Sequence, residues 1–195
     1  GRWKFLIKVV MGEMKTVVIT GSAKGFGFEM MNVFRRYDFN CVLCDVDEDS
    51  LKKAHRVLDK MNYSGKVVSY KLDVTDVLSI KDVVDKVTYE FDAIDIWINN
   101  AGVSQPDKYV WELDKKIVDI LIDVDLKGVI NSSSIVSNVM IKQGFGGIYN
   151  VEGHGSNNAL IPKLTLYGTA KRAVTYFTES FAKEVMECHY KGIVG

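Results

Sequence analysis

The segment 15-KTVVITGSAKGFGFEMM-31 decides the fold of this chain. Its apolar first part predicts a β-strand, and its last part has the apolar spacing of an amphipathic helix. Between them, Gly21, Gly25 and Gly27 allow positive φ angles and a close approach of the backbone, so the free N–H groups at the start of the helix can face an anionic phosphate. The glycine spacing differs from the common G-x-G-x-x-G pattern, and a plain tight turn is the alternative. We interpret the segment as a strand, turn and helix that bind the pyrophosphate of a dinucleotide.

The composition is that of a globular protein with a formal net charge of zero. With 195 residues, 47% of them hydrophobic and 26% charged, the chain is long enough for one domain with a sizeable buried core. The 25 basic side chains equal the 25 acidic ones, so nothing favours nucleic acid or an acidic membrane surface as a partner. No apolar run reaches the length of a bilayer span. We expect a soluble protein with neither a nucleic-acid nor a membrane partner.

The cysteines and the first residues carry little functional signal. Three cysteines without a disulfide framework indicate a reducing compartment, and we expect the cytoplasm. Cys41 and Cys44 have C-x-x-C spacing, but they lie in a strand pattern that points their side chains to opposite faces, so we predict neither a redox pair nor a metal site. Residues 1–14 mix basic and apolar residues without a small-residue cleavage site. We interpret them as an N-terminal extension before a domain over residues 15–195.

Strand and helix patterns alternate along the rest of the chain. The predicted strands span residues 16–19, 40–44, 67–72, 94–98 and 146–151, with the start of a sixth at 192–195. The predicted helices run from the glycine turn to about residue 37, then over 50–61, 77–91, 111–142 and 166–188. This alternation predicts an α/β fold whose parallel sheet is covered on both faces. Right-handed crossovers then bring the glycine turn and the strand ends at Asp45, Asp73 and Asn99 to one edge, where such sheets bind ligands.

Asp45 bears on the choice of cofactor. It follows the second strand, 18 positions after Gly27, where an acidic side chain can bind both hydroxyls of an adenosine ribose and repel a 2′-phosphate. This favours NAD over NADP. Lys24 points the other way, because a cation in the turn can pair with that phosphate. The alternative is that Asp45 only begins an acidic turn that caps the following helix.

A tyrosine and a lysine form the candidate catalytic pair. Tyr167 and Lys171 are four residues apart, so on a helix they project from one face. We expect the Lys171 ammonium to stabilise a phenolate and lower the pKa of Tyr167, which makes the phenol a usable proton donor to a developing alkoxide. Ser156, in the glycine-rich loop after the fifth strand, offers a hydroxyl that can hold a carbonyl oxygen. Ordinary turn chemistry is the alternative for this serine.

Three motifs carry a family resemblance. In order and spacing, Thr20-Gly21-x-x-x-Gly25-x-Gly27, Asn99-Asn100-Ala101-Gly102 and Tyr167-x-x-x-Lys171 resemble the short-chain dehydrogenase/reductase family, and the surrounding residues look most like its chlorophyll b reductase branch. The resemblance implies a three-layer, Rossmann-type, doubly wound parallel sheet. It also implies a nicotinamide cofactor, which Asp45 indicates is NAD rather than NADP, a small carbonyl or alcohol substrate and a homo-oligomer, either a dimer or a tetramer.

The resemblance also assigns roles to residues. The implied cofactor-binding residues are Gly21, Ser22, Lys24, Gly25, Phe26, Gly27, Asp45, Asp73, Val74, Asn100, Ala101, Gly102, Tyr167 and Lys171, with Asn99 more structural. Tyr167 is implied as the general acid or base during hydride transfer, and Ser156 as the group that orients the substrate oxygen. The serine position of many family members is occupied here by His154, which is a further substrate-facing candidate; a solvated loop side chain is the alternative.

Two departures from the family pattern leave rival interpretations open. Asp125 stands where the family usually has a catalytic asparagine, and an ionised aspartate accepts hydrogen bonds but donates none. A proton relay through water to Lys171 then either survives with an altered pH dependence or fails. The chain also ends at Gly195, before the family's last strands and substrate-covering loop. These departures favour the alternative of a catalytically weak nucleotide-binding or scaffolding protein. A third interpretation, a chlorophyll b-type formyl reductase, rests on the branch similarity alone. We expect Trp97, Trp111 and Phe145 to be packing residues rather than a substrate cage.

Overall fold

A computed structural model describes residues 14–188 and 191–195, and a parallel sheet forms its centre. The strands are β1 (Thr16–Thr20), β2 (Asn40–Asp45), β3 (Val67–Lys71), β4 (Ile96–Asn99), β5 (Phe145–Asn150) and β6 (Lys191–Val194). Within the described residues their order is β3-β2-β1-β4-β5-β6, and every pairing is parallel. This is the strand order of the doubly wound Rossmann-type fold. The predicted strands are confirmed, with bounds that shift by at most two residues.

Helices cover both faces of the sheet. They are α1 (Gly25–Arg36), α2 (Glu48–Asp59), α3 (Val77–Phe91), α4 (Lys115–Ile122), α5 (Val129–Gln143) and α6 (Thr165–Glu187). α1 and α2 pack on one face against β1 and β2. α3 and α5 pack on the other face, where α6 contributes Phe181. The three-layer arrangement follows from strands that are apolar on both sides, since each face must be buried.

The central strands show this two-sided burial residue by residue. Val17 and Cys41 pack in the cluster beneath α1 and α2, whereas Val18 and Cys44 pack in the cluster beneath α3 and α5. Both cysteines are free and buried, and their side chains lie on opposite faces as predicted. Burial raises the pKa of the Cys41 thiol to about 12. Neither thiol is therefore a reactive thiolate near neutral pH.

The region predicted as one helix over 111–142 is more complex. A short 3-10 turn covers Val110–Glu112, and α4 begins only at Lys115, because the Asp114 side chain accepts the Lys116 N–H (2.8 Å) as its N-cap. A π turn, Asp123–Gly128, then joins α4 to α5. The cap leaves Trp111 in the 3-10 turn, outside α4 and 78% exposed, so the prediction that it is a core or helix-packing residue is wrong.

The other two aromatic predictions have different outcomes. Trp97 lies fully inside the sheet and is a packing residue, as predicted. Phe145 is 40% exposed at the start of β5, so it contributes little to the core. Trp111 stacks on Tyr109, with the ring centroids 4.8 Å apart and the planes 4° from parallel.

A buried arginine holds the connection between α2 and β3. Arg35, on α1, is 3% exposed and donates to the carbonyl oxygens of Leu58 (3.1 Å), Met61 (3.1 Å), Tyr63 (3.0 Å) and Gly65. The guanidinium has several donors in a fixed fork, which suits it to several carbonyl groups at once. These bonds fix the entry into β3.

Two further expectations concern the N-terminal extension and membrane-spanning helices. The predicted extension 1–14 lies, apart from Met14, outside the described residues. In the ranges 14–188 and 191–195, no helix combines the length and the apolar character needed to cross a bilayer.

Candidate active site

The glycine turn after β1 is built for close approach. Gly21 and Gly25 have φ angles of +63° and +59°, which favour glycine, and α1 begins at Gly25. A Cβ added to Gly21 would lie 2.8 Å from the Cα of Ala101, and one added to Gly27 would overlap the Asn100 amide. The turn therefore packs on the residues after β4 without side chains between them.

The residues after β4 complete this contact through hydrogen bonds. The Asn100 side chain donates to the carbonyl oxygens of Thr20 (3.0 Å) and Gly21 (2.9 Å). The backbone N–H groups of Asn100 and Ala101 both donate to the Thr20 hydroxyl, at 3.0 Å. Two of the three motifs quoted above are thus one structural unit at the edge of the sheet.

A groove of about 530 Å³ runs along this edge, at the carboxyl ends of the strands. The predicted cofactor residues that line it are Gly21, Lys24, Phe26, Gly27, Asp45, Asp73, Val74, Asn100, Ala101 and Gly102. It is also lined by residues not predicted for it, namely Val46, Asp47, Leu72, Thr75, Val103, Ile120 and Val124. Of these, Ile120 and Val124 had a signal in the sequence, because their i, i+4 spacing puts both apolar side chains on one face of a helix.

Ser22 does not offer its side chain to the groove. The residue is fully buried, and its hydroxyl donates to the Ile19 carbonyl (2.7 Å) and accepts the Cys44 N–H (3.0 Å). It joins the glycine turn to β2, and its backbone N–H donates to the Cys44 carbonyl at 3.0 Å. The cofactor contact of Ser22 stays a prediction.

The end of β2 is strongly acidic. The buried Asp45 carboxylate accepts the N–H groups of Ala23 (3.1 Å) and Asp47 (3.0 Å). The N-cap of α2 is Asp47, whose side chain accepts the Ser50 N–H and hydroxyl, and these bonds lower its pKa to about 2. The capping role considered for Asp45 therefore belongs to Asp47. The Lys24 ammonium lies 3.6 Å from an Asp47 oxygen.

Asn99 lies beneath the groove in a buried polar network. Its side-chain oxygen accepts the Trp97 indole N–H (2.8 Å), and its amide donates to Ser133 (3.1 Å) and Asn150 (2.8 Å). Asn150 in turn donates to the Thr178 hydroxyl at 2.8 Å. The network joins β4, β5, α5 and α6, which supports the structural role expected of Asn99.

The α6 helix carries Tyr167 and Lys171 on one face. The Lys171 ammonium lies 5.7 Å from the centre of the Tyr167 ring and donates to the Val151 carbonyl at 3.3 Å. The start of the helix is held by Gln105, whose side-chain oxygen accepts the N–H groups of Leu166 (2.9 Å) and Tyr167 (3.1 Å). Gln105 comes from the loop after β4 and is 6% exposed. No sequence signal marked it, because a loop glutamine has no pattern that reveals its burial.

The electrostatics of Tyr167 differ from the prediction. Burial and the Asp125 charge raise the pKa of Tyr167, whereas a lowering by Lys171 was expected. Burial also lowers the pKa of Lys171. The expectation is wrong for this structure because desolvation disfavours both ionised forms and the Asp125 charge opposes a phenolate. The phenol is therefore protonated at neutral pH.

Asp125 lies in the π turn, fully buried. Its Oδ1 accepts the Val103 N–H at 2.7 Å, while Oδ2 has no hydrogen-bond partner among the described residues. The carboxyl group lies beneath Gly102, where an added Cβ would be 3.5 Å from Oδ1. Burial raises the pKa of Asp125 above the ordinary carboxyl value, although the Val103 hydrogen bond and the Lys171 charge oppose this shift.

The loop after β5 lies against the first turns of α6. Ser156 is 6% exposed, and its hydroxyl donates to the Lys171 carbonyl (3.4 Å) and accepts the Gly153 N–H (3.2 Å). The Arg172 guanidinium donates to the Ser156 carbonyl at 2.9 Å. His154 is exposed. The loop thus reaches the predicted catalytic helix mainly through backbone groups.

The amino-acid sequence is similar to those of known oxidoreductases. The family model for short chain dehydrogenases matches residues 15–191. The chain is 34% identical over 177 residues to the 3-oxoacyl-(acyl-carrier-protein) reductase FabG of Thermotoga maritima, covering 89% of this chain and 69% of that protein. It is 29% identical over 180 residues to the chloroplastic chlorophyll(ide) b reductase NOL of Arabidopsis thaliana, covering 91% and 51% respectively.

Solved structures share the fold. NAD+-bound xylitol dehydrogenase is 25% identical, with a TM-score of 0.83 over 92% of this chain and 67% of that one. A short chain dehydrogenase/reductase from Burkholderia phymatum in complex with NAD is 23% identical, with a TM-score of 0.86 over 92% of this chain and 63% of that one. At this identity the similarity concerns the fold only. The chain spans from about half to about two thirds of the length of these relatives. On the family match, the sequence identity and the shared fold, this chain belongs to the short-chain dehydrogenase/reductase family of oxidoreductases, which use a nicotinamide cofactor.

Proposed function

We propose that this chain is an NAD-dependent oxidoreductase that transfers a hydride between the nicotinamide and a small carbonyl or alcohol substrate. The observation that carries the proposal is the groove itself, because the glycine turn, Asp45 and Asn100–Gly102 line one cavity at the carboxyl edge of the sheet. Such an edge is where open parallel sheets bind ligands.

The residues present fit a dinucleotide along this groove. The glycine turn, including Ser22, Lys24, Gly25 and Phe26, would hold the pyrophosphate at the N-terminus of α1. Asp45 would bind the adenosine ribose, and Asp73 with Val74 would border the adenine. The central part would lie on residues 100–102, and Tyr167 with Lys171 would contact the nicotinamide ribose.

The charges at the ribose end support NAD over NADP. Asp45, Asp47 and Asp73 line this part of the groove, and the cation there, Lys24, lies within 3.6 Å of Asp47. Lys71, the last residue of β3, is paired with Glu48 at 2.8 Å. A 2′-phosphate would add negative charge beside three carboxylates, and both of these lysines already have acidic partners.

For catalysis we propose that the Tyr167 phenol is the general acid in the reductive direction. When bound, the nicotinamide supplies the hydride. The phenol donates its proton to the substrate oxygen as the carbon–oxygen double bond is reduced, and in the reverse direction the phenolate takes the alcohol proton back. Its raised pKa keeps that proton in place at neutral pH. We propose that Lys171 and Asp125 return a proton to Tyr167, and the assignment of the substrate oxygen to Ser156 stays a prediction.

Substitution of Tyr167 tests the mechanism. Y167F is assayed with NADH and NADPH on a panel of aldehydes and ketones, and with NAD on alcohols. We expect kcat to fall at least about 100-fold while the affinity for NADH changes little, because only the transferable proton is removed. Y176F, on the same helix and 73% exposed, is the matched control and should retain full activity. Unchanged turnover in Y167F would refute the mechanism.

The second candidate is a nucleotide-binding protein with weak catalysis. Two observations favour it: the buried Asp125 oxygen, which has no partner within residues 14–188 and 191–195, and the Ser156 hydroxyl, which is bonded to the backbone. Calorimetry separates the candidates, since tight NADH binding without turnover on the whole panel supports this one.

A chlorophyll b-type formyl reductase is a narrower form of the leading proposal, and a formyl-bearing chlorin in the panel tests it. We also propose a dimer or tetramer, to be measured by light scattering.

A further inference from the structure

The loop 153–156 contacts α6 partly through glycines, which have no side chain to keep the two segments apart. A Cβ added to Gly155, whose φ is +99°, would lie 2.5 Å from the Cα of Gly168. The Ser156 hydroxyl and carbonyl add the bonds to Lys171 and Arg172 described above. The loop therefore follows the surface of α6 at backbone distance, and its position is fixed relative to Tyr167.

Within this loop, Gly153 is the residue at the Tyr167 hydroxyl. A Cβ added to Gly153 would overlap the phenol oxygen and lie 3.2 Å from two ring carbons, whereas the Gly153 backbone itself is not in the left-handed region. The glycine is thus required by the neighbouring phenol and not by its own φ. Because a substrate oxygen that accepts a hydrogen bond from this hydroxyl lies about 2.7 Å away from it, the substrate must pass close to Gly153.

Ser156 has a different environment. Its hydroxyl has a donor and an acceptor partner in the backbone, the Gly153 N–H and the Lys171 carbonyl, and the residue is 6% exposed. A hydroxyl that bridges these groups would have to break a bond inside the protein to donate to a substrate oxygen. Its bond to the Gly153 N–H instead fixes the glycine that packs on the phenol.

We propose that Gly153, rather than Ser156, is the residue of this loop that faces the reacting oxygen beside Tyr167, and that Ser156 is a positioning residue that holds Gly153 there. The proposal rests on the proposed function, since it concerns the same site. It gives the substrate oxygen a single hydroxyl donor from these elements, the Tyr167 phenol, with a bare backbone position next to it.

The first test measures S156A with the substrate panel, with N157A, an exposed position on the same loop, as the control. We expect kcat/KM of S156A to fall less than about tenfold. We also expect the pH limb that reports Tyr167 to move to lower pH, because a looser Gly153 admits water to the phenol and reduces the burial that raises its pKa. A larger loss of kcat with an unmoved limb would overturn the proposal, since it would mean that the hydroxyl acts on the substrate directly.

The second test needs no turnover. G153A is compared with wild type by its melting temperature, and the same substitution is compared in the Y167F background. We expect G153A to lower the melting temperature by several degrees when Tyr167 is present and by at most half as much in the Y167F background. The reason is that the effects of substitutions at residues in contact are not additive. Equal falls in both backgrounds would overturn the proposal. If wild type turns over no substrate, the proposed function fails while this cycle still decides the role of Gly153.

Discussion

Replacement of Asp125 by asparagine tests the most unusual feature of the site. The carboxyl group is fully buried, and one of its oxygens has no partner in the described part of the chain. Asparagine has the same shape, its oxygen can still accept the Val103 N–H, and it has no charge to desolvate. We therefore expect D125N to be more stable than the wild type at neutral pH.

The magnitude follows from the cost of burying a polar atom without a partner, about 1–3 kcal/mol. The amide leaves an N–H group in the same place, so part of that cost stays, and we expect a gain of about 1–2 kcal/mol in the free energy of unfolding. For a chain of 195 residues this corresponds to a rise of about 2–8 °C in melting temperature.

The gain depends on pH with a definite sign. Burial raises the pKa of Asp125, so above the ordinary carboxyl pKa of about 3.9 the unfolded chain releases a proton that the folded chain still holds. Wild-type stability therefore falls as the pH rises through this window and stays low above the folded-state pKa. The advantage of D125N is expected to be small near pH 4 and full near pH 8.

Urea unfolding at several pH values measures this, with D119N, an exposed aspartate on α4, as control. A loss of stability in D125N at pH 8 would refute the reasoning, because it would mean that a native ion pair with Lys171 outweighs the desolvation. A second readout is kinetic. At the alkaline pH where a phenol titrates, the Asp125 charge raises the pKa of Tyr167, so the corresponding limb of kcat/KM should move to lower pH in D125N.

Three further predictions concern Arg35, Asp45 and Gln105. R35A should lose about 3 kcal/mol or more in urea unfolding, because four carbonyl groups lose a buried charged donor, and a loss under about 1 kcal/mol would contradict this. D45S should shift the ratio of NADPH to NADH affinity by about tenfold or more toward NADPH in fluorescence titrations, and an unchanged ratio would argue against a ribose contact. Q105A should lower kcat about tenfold with little change in NADH affinity, since the N–H groups at the start of α6 lose their acceptor, and wild-type kcat would show that Gln105 does not position Tyr167.

The sheet and the groove were predictable because both depend on local patterns. Strands that are buried on both faces give continuous apolar runs such as Val17–Ile19, and parallel topology puts all their carboxyl ends at one edge. The groove-lining positions Asp45 and Asp73 followed from that edge, whereas Asn100 and Gly102 followed from the family resemblance. Their proximity needed no knowledge of side-chain packing.

What the sequence could not predict depends on contacts between distant segments. Gln105 caps a helix 60 residues away in the chain, and Gly153 meets Tyr167 only when the loop after β5 folds onto α6. The direction of the Tyr167 pKa shift was predicted wrongly because the i, i+4 spacing shows the lysine but not the burial or the approach of Asp125. Trp111 was misplaced because the helix N-cap at Asp114 excluded it.

The π turn at Asp123–Gly128 bears on how the chain tolerates a deletion. Such a turn holds one residue more than an α-turn, and deleting a residue from a regular helix rotates everything beyond it by about 100°. Here, removal of one residue would let the segment close as an ordinary helix, with α4 and α5 kept in their present registers. Deletion of one residue in this stretch is therefore expected to preserve the fold while it displaces the Asp125 side chain from beneath Gly102. Such a variant would separate the packing of the helices from the proposed role of Asp125.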